Sequence, residues 1–297
     1  MPLQFVKHND IDFAQWDKMI PLCYNENPYA NSAWLNEVCP TWSALIGGNY
    51  EILIPLPIKI KLGFNYLSQP RFTQQLGVFS KQPLDLIYYE EVILFLQKKF
   101  NKIYLQFNTE NSSYFSALPK RTTYQLSLNE SYEKLYSNFS KHHQRNIVKA
   151  LEYERSGTLV ISKSKDPERF IKHFKETVGK KDAALGTSEY NLMRRLLNSP
   201  DGNFLCCSSA SGSLMAGLFY IKSATKLVNL FNFIVPEGKE FQGMYLLLNH
   251  WITEHSSSNL TLDFEGSEIQ SIARFYGGFG ATPKTYPFLA KKPFFFI

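Results

Sequence analysis

Cysteine is scarce in this chain of 297 residues: Cys23, Cys39, Cys206 and Cys207 are all there is. Four scattered thiols do not make a disulfide framework. The adjacent Cys206 and Cys207 would point to opposite faces of a strand, not toward one metal ion. All four are expected to be small buried residues. The six histidines bring neither a Cys-x-x-Cys nor a His-x-x-x-His spacing, so no metal site is expected. No apolar run reaches the roughly 18 residues that span a bilayer, and Met1 to His8 lacks the basic-then-apolar layout of a secretion signal. The expectation is a cytoplasmic protein without a membrane span. Low-complexity stretches are missing as well. With 44% hydrophobic and 20% charged residues, the chain is neither disordered nor collagen-like.

Charge is unevenly placed. Up to Leu118 there are 9 Lys/Arg against 10 Asp/Glu, and from Pro119 onward 23 against 16. The second half therefore carries the whole basic excess. That excess suits a polyanionic ligand such as a nucleotide, coenzyme A or RNA, or serves solubility alone.

Periodicity predicts helices over 11–20 and 33–38, then strands over 42–46 and 50–60 around a Gly47-Gly48-Asn49 turn. Pro55 and Pro57 make the second of these an edge strand or a bent one. A helix over 84–100 ends in Lys98-Lys99, and a strand follows over 103–107. The second half is expected to repeat this order. A helix begins at Tyr132 behind Asn129 or Ser131, and a basic helix over 142–156 stops at Gly157. Strands are expected at 158–162, 204–209, 214–221, 226–235 and 260–264, and helices at 166–179, 188–197, 243–255 and 269–276. The helix 243–255 lies between two strands and so forms a parallel crossover unit. A last strand is expected over 285–288, and the tail Phe294 to Ile297 reads as a strand or an oligomer contact. The fold class is α/β with two similar halves, residues 1–118 and 119–297.

Three stretches carry a resemblance: Leu67-Ser68-Gln69-Pro70-Arg71-Phe72-Thr73-Gln74-Gln75-Leu76-Gly77-Val78-Phe79, then Ser140-Lys141-His142-His143-Gln144-Arg145-Asn146-Ile147-Val148-Lys149-Ala150, and Asp263-Phe264-Glu265-Gly266 with Phe275-Tyr276-Gly277-Gly278-Phe279-Gly280-Ala281. With the element order, they resemble the GNAT acyltransferases in the duplicated, Fem-type (FemAB-like) form. The resemblance implies two tandem GNAT-like domains, each a mixed twisted sheet flanked by helices. It also implies transfer of an acyl or aminoacyl group to a small-molecule or peptide amine, with acyl-CoA or aminoacyl-tRNA as co-substrate and no tightly bound cofactor. Where GNAT enzymes place a pyrophosphate loop, this chain has Gln242 and Gly243 at a helix start, preceded by Glu237 and Glu240. Sheet-edge amides around Phe231 to Ile234, Phe233 among them, would hold the donor carbonyl.

Each candidate has two readings. Lys141, Arg145 and Lys149 line one helix face over about 12 Å, as a phosphate-binding stripe or a solvated surface. Asp263 and Glu265 share a strand face; Asp263 could orient or deprotonate an amine, whereas Glu265 or Ser267 reads as a cap for the next helix. Gln69, Arg71 and Gln74 form a polar cluster in which Arg71 could hold an acceptor carboxylate, or they form a hydrogen-bonded loop. The resemblance implies a tyrosine as acid toward a leaving thiolate; Tyr276 is the candidate, against a glycine-rich cap. The six histidines, His142, His143, His250 and His255 among them, show no Ser/His/Asp or Cys/His order, and most of them read as surface or capping residues. Two other classes compete: a catalytically inactive GNAT-like protein that binds a small molecule or peptide, and an RNA-associated protein.

Overall fold

The Gly47-Gly48-Asn49 turn closes a hairpin as its composition demands, with Gly48 and Tyr50 both in the left-handed region (φ 60° and 63°). It joins β2 (Ser43–Gly47) to β3 (Ile52–Leu56), with β1 (Leu3–Val6) preceding them. The computed structural model describes residues 2–292 other than 62, 164, 201 and 267. The chain divides into two compact units, one made of Met1–Thr123 with Lys284–Ile297, the other of Tyr124–Pro283.

In the first unit, α1 (Phe13–Met19) and α2 (Ser32–Val38) precede the hairpin, β4 (Ile58–Lys61), β5 (Phe64–Ser68) and β6 (Phe79–Ser80) follow it, and α3 (Leu86–Lys99) leads to β7 (Ile103–Gln106). The segment expected as one strand over 50–60, at an edge or bent, is two strands, of which β4 lies at an edge. β3 joins a sheet of order β1-β2-β3-β6, whereas β4, beyond Pro57, pairs with β5 instead. Proline supplies no N–H for a ladder, so the chain changes partners where it must break one anyway. Trp16, Trp42, Tyr29, Phe79 and Phe107 fill the core. The Trp16 indole N–H donates to Ala30 O at 2.7 Å, which satisfies its one polar atom.

The second unit runs β8 (Lys120–Ser127), α4 (Tyr132–Ser137), α5 (Lys141–Arg155), β9 (Leu159–Ser162), α6 (Pro167–Thr177) and α7 (Thr187–Leu197). Then come β10 (Gly202–Ser209), β11 (Leu214–Lys222), β12 (Lys226–Ile234), α8 (Pro236–Glu240), α9 (Gly243–His255), β13 (Thr261–Asp263) and α10 (Gln270–Gly277), after which the chain passes into β14 (Thr282–Lys291), most of it in the first unit. Ser131 caps α4 and Ser140 caps α5, whose end is turned at Gly157 (φ 74°). The strand order is β8-β13-β12-β11-β10-β9. The β12–β13 pair is parallel, as the intervening α9 requires. Helix α6 lays Phe170 and Phe174 against Phe233 and Phe231 on one face of β12. On the other side of the sheet, Trp251 and Leu247 of α9 and Ile147 of α5 share a buried cluster with β11 residues Ala216 and Leu218.

Each unit contributes strands with one parallel pair among them, β5–β7 across α3 and β12–β13 across α9, and the β1-β2-β3-β6 sheet of the first unit is wholly antiparallel. Each parallel pair is extended by an antiparallel strand: β14 beside β7, and β8 beside β13. The strand that follows β7 in sequence therefore serves the second unit's sheet, and the strand that follows β13 serves the first. The tail Phe294 to Ile297 and Ser267 lie outside the described residues. Among those described, no helix is long and apolar enough to cross a membrane.

Candidate active site

Strand β12 should alternate, yet Asn229 and Asn232, three apart, line one cavity. A register shift reconciles them: Phe231 pairs with Phe219 but Asn229 with Tyr220, so Leu230 is the extra residue of a β-bulge. The bulge coincides with the loss of a neighbour. β12 pairs with β13 only from Lys226–Thr261 to Val228–Asp263, then runs on to Ile234 without it. Val235 N donates to Met215 O at 3.0 Å. By ladder alternation, Phe233 and Phe231 turn their backbone groups to β11, while Asn232 and Ile234 turn theirs to the gap.

At that gap sits a cavity of about 390 Å³. Asn229, Asn232 and Ile234 of β12 line it, with Lys239, Gln242, Met244 and Tyr245 around the start of α9 and Ser271, Phe275 and Tyr276 from α10. Gln242 is left-handed (φ 61°) and its side chain caps nothing. Gly243 packs close to Gly238 O and Ala216, which draws the α9 N-terminus onto the sheet. The first amides of a 13-residue helix therefore open beside the cavity.

Asn229 and Asn232 donate to the Tyr276 phenol oxygen at 3.4 and 3.5 Å. In both contacts the phenol oxygen is the acceptor. Burial pushes the Tyr276 phenol up to about 12; the Asn232 hydrogen bond opposes this and the Glu265 carboxylate adds to it. Glu265 itself is held well above the ordinary carboxylate range by burial. Asp263, 3% exposed, does not line the cavity. Its Oδ2 accepts from Gln125 Nε2 and its Oδ1 from Glu265 N, both at 2.8 Å, fixing the left-handed turn at Glu265 (φ 56°) and Gly266.

The cavity thus brings Gln242 and Tyr276 together, with Gly243 behind them. Phe231 and Phe233 put their rings on the α6 face, Phe233 also stacking on His173. Lys141, Arg145 and Lys149 are exposed along α5, opposite the buried His143, Ile147 and Ala150. His143 corrects the surface reading, and His255 is buried too. The His143 ring bonds Ser140 Oγ and Phe275 O, each at 2.8 Å, and lies against Tyr245, Phe275 and Phe279. All four cysteines are buried.

Gln69, Arg71 and Gln74 belong to the first unit. Gln69 donates to Thr73 O at 2.8 Å and accepts from Gln106 N at 2.9 Å. Gln74 accepts from Gln75, which in turn accepts from Thr109 N. The same loop ends at Gly77 (φ 129°), behind which Asn111 accepts from Val78 N. Arg71 is exposed. Asn229, Asn232 and Lys239 were not singled out from the sequence. Their signal was the odd spacing of two asparagines in an otherwise apolar strand.

A splayed parallel pair, a bulged strand and a helix N-terminus at the gap are set in a mixed α/β fold of tandem GNAT-like form. No protein-family profile matches the sequence, and no curated protein does. Among solved structures the chain is similar to FemX, over 96% of each chain at TM-score 0.66 and 14% identity. It is similar to a tandem GNAT protein from the clavulanic acid biosynthesis pathway, over 99% of this chain and 100% of that one, at TM-score 0.51 and 12% identity. It is also similar to the C-terminal domain of an Agrobacterium fabrum protein assigned as a lysylphosphatidylglycerol synthetase, over 95% and 92% at TM-score 0.59 and 7% identity. At such identities the likeness is one of fold.

Proposed function

We propose that this protein transfers an acyl or aminoacyl group from a thioester or ester donor, acyl-CoA or aminoacyl-tRNA, to an amine. The observation that carries the reading is the cavity at the β12–β13 gap, where free backbone amides, a helix N-terminus and a protonated phenol converge. The donor carbonyl oxygen accepts from the Asn232 and Ile234 amides, which gain strength as negative charge develops on it. The amine nitrogen attacks the carbonyl carbon; the C–N bond forms and the C–S or C–O bond breaks. Tyr276 gives its proton to the departing sulfur or oxygen, and the proton lost by the nitrogen passes to water, so no covalent enzyme intermediate is needed. Asp263 holds the Glu265 turn in this scheme. Lys239, Gln242 and the Gly243 amide favour donor phosphate, with the α5 stripe Lys141, Arg145 and Lys149 as a further anionic contact. In the first unit, Arg71, set in its Gln69–Gln74 loop, is a separate candidate for holding a carboxylate.

The test is a thermal-shift screen of the whole chain against acyl-CoAs, nucleotides and tRNA, followed by product analysis with amine panels. A donor at a hundred times its Kd is expected to add about 2.7 kcal/mol of stability. Stabilisation by no donor would overturn the reading. A second reading, a binding protein of the same fold without catalysis, draws on Glu237 and Glu240, exposed just before the α9 N-terminus. Stabilisation without any acylated product would select it.

A further inference from the structure

The two most exposed large apolar side chains among the described residues are neighbours. Phe64 is 73% exposed and Ile60 68%, and both sit at the end of the β4–β5 hairpin. Exposure rises steeply outward: Ile58 and Leu67, paired at the base, are 8% and 0% exposed. The pairing sets Ile60 opposite Asn65 and Lys61 opposite Phe64. Ile60 and Phe64 therefore point to opposite faces of the ribbon. A single protein surface laid on one face would cover one of them and leave the other in water. A fluid apolar layer entered end-on covers both.

The charges around the tip fit one such layer. Lys59 and Lys61 are exposed on the Phe64 side of β4. One layer back, Tyr66 pairs with Lys59, and Lys102 Nζ stands 5.0 Å from the Tyr66 ring centroid. Phe64 and Tyr66 are two residues apart on one face, about 7 Å at the rise of a strand. That matches the ~5–10 Å by which interfacial elements enter a bilayer, with tyrosine and lysine at the headgroup level. No aspartate or glutamate occurs between Glu51 and Asp85, a span that holds Lys59, Lys61, Arg71 and Lys81. β4 is moreover an edge strand, and its lysines oppose pairing with a second copy of itself.

We propose that the β4–β5 hairpin is a membrane anchor that inserts Ile60 and Phe64 end-on into an anionic lipid surface, with Lys59 and Lys102 on the headgroups and Lys61, level with Phe64, extending its long side chain back to them. The proposal is independent of the acyl-transfer reading, since it needs no occupant of the cavity.

The test is co-sedimentation of the full chain with vesicles of phosphatidylcholine plus phosphatidylserine, against phosphatidylcholine alone. Binding is expected to the anionic vesicles and to weaken with added salt. Lys59→Gln and Lys61→Gln should each cost about fivefold in partition coefficient, and Phe64→Ser or Ile60→Ser about tenfold or more. These side chains are exposed, so each variant should keep the thermal transition of the parent. A Phe64→Trp variant gives a second readout: its emission should shift to the blue with anionic vesicles. Absence of both pelleting and blue shift, or binding that ignores these substitutions, would overturn the proposal. So would light scattering that shows a dimer abolished by Phe64→Ser, because the tip would then be covered by a second chain.

Discussion

Tyr276 carries its proton at neutral pH, as a phenol with the ordinary value near 10 already does, and burial raises that value to about 12. Tyr276→Phe keeps the ring stacked on Phe264 and removes only the hydroxyl. Under the proposed chemistry it should lower kcat by about 10² to 10⁴ with little change in KM, measured on whichever donor stabilises the chain. An unchanged kcat would take Tyr276 out of the reaction. His143 gives a second prediction at this scale, one that does not depend on function. Its pKa is lowered, first by burial, with His142 adding to the effect and the Phe275 carbonyl opposing it. The unfolded chain therefore takes up the proton first as the pH falls. The stability contributed by the neutral ring is complete above about 6.5, the ordinary value, and is lost as pH drops below it. The melting temperature should fall on that acid limb, and His143→Gln should flatten the slope; His173, lowered likewise, leaves a residual one. A slope identical to the parent's would show that the ring does not titrate with unfolding. The sequence made Tyr276 visible because it stands in a glycine-rich stretch. It hid His143, since nothing in Ser140-Lys141-His142-His143 says which of the two rings turns inward. Only the packing of α5 decides that, by placing His143, Ile147 and Ala150 on one face.

At the scale of elements, the close fit of α5 and α10 can be broken by one carbon. A Cβ at Gly278 would lie 1.9 Å from His143 Cε1 and 2.3 Å from Nδ1. The ring cannot move aside without losing its bonds to Ser140 and Phe275 O. Gly278→Ala should therefore cost about 1–3 kcal/mol by overpacking, which calorimetry would register as a drop of roughly 2–12 °C. A melting temperature within a degree of the parent's would mean that the ring yields more freely than its bonds suggest. Most elements were legible because their periodicities are strong: α9, β11 and β12 lie within a residue or two of their expected limits. The bulge at Leu230 was legible in principle, since Asn229 and Asn232 cannot share a strand face without it. Asp263 was visible in the sequence as a carboxylate at the end of a parallel strand, the address of a catalytic group; its bonds to Gln125 and to Glu265 N, which brace the turn that carries Glu265, were not.

For the whole molecule, the last strand is the part that local sequence could not assign. β14 was expected, but not its partner, because the contact spans some 180 residues and leaves no mark on either segment. In the fold, Phe288 and Leu289 pair with Gln106 and Leu105 of β7, Phe107 N donates to Pro287 O, and Lys291 Nζ bonds the Gln97 and Phe100 carbonyls at the end of α3. The chain that ends the sequence thus completes the unit that begins it. Ending the protein at Pro283 removes those bonds and turns β7, with the buried Leu105, into an uncovered edge. The second unit retains all of its strands from β8 to β13 and its own buried cluster. Limited proteolysis of the shortened chain should therefore cleave first within Met1–Thr123, while a fragment near Tyr124–Pro283 resists. Equal resistance of the two would mean that β14 contributes nothing to the first unit's stability, and loss of both together would mean that they unfold as one.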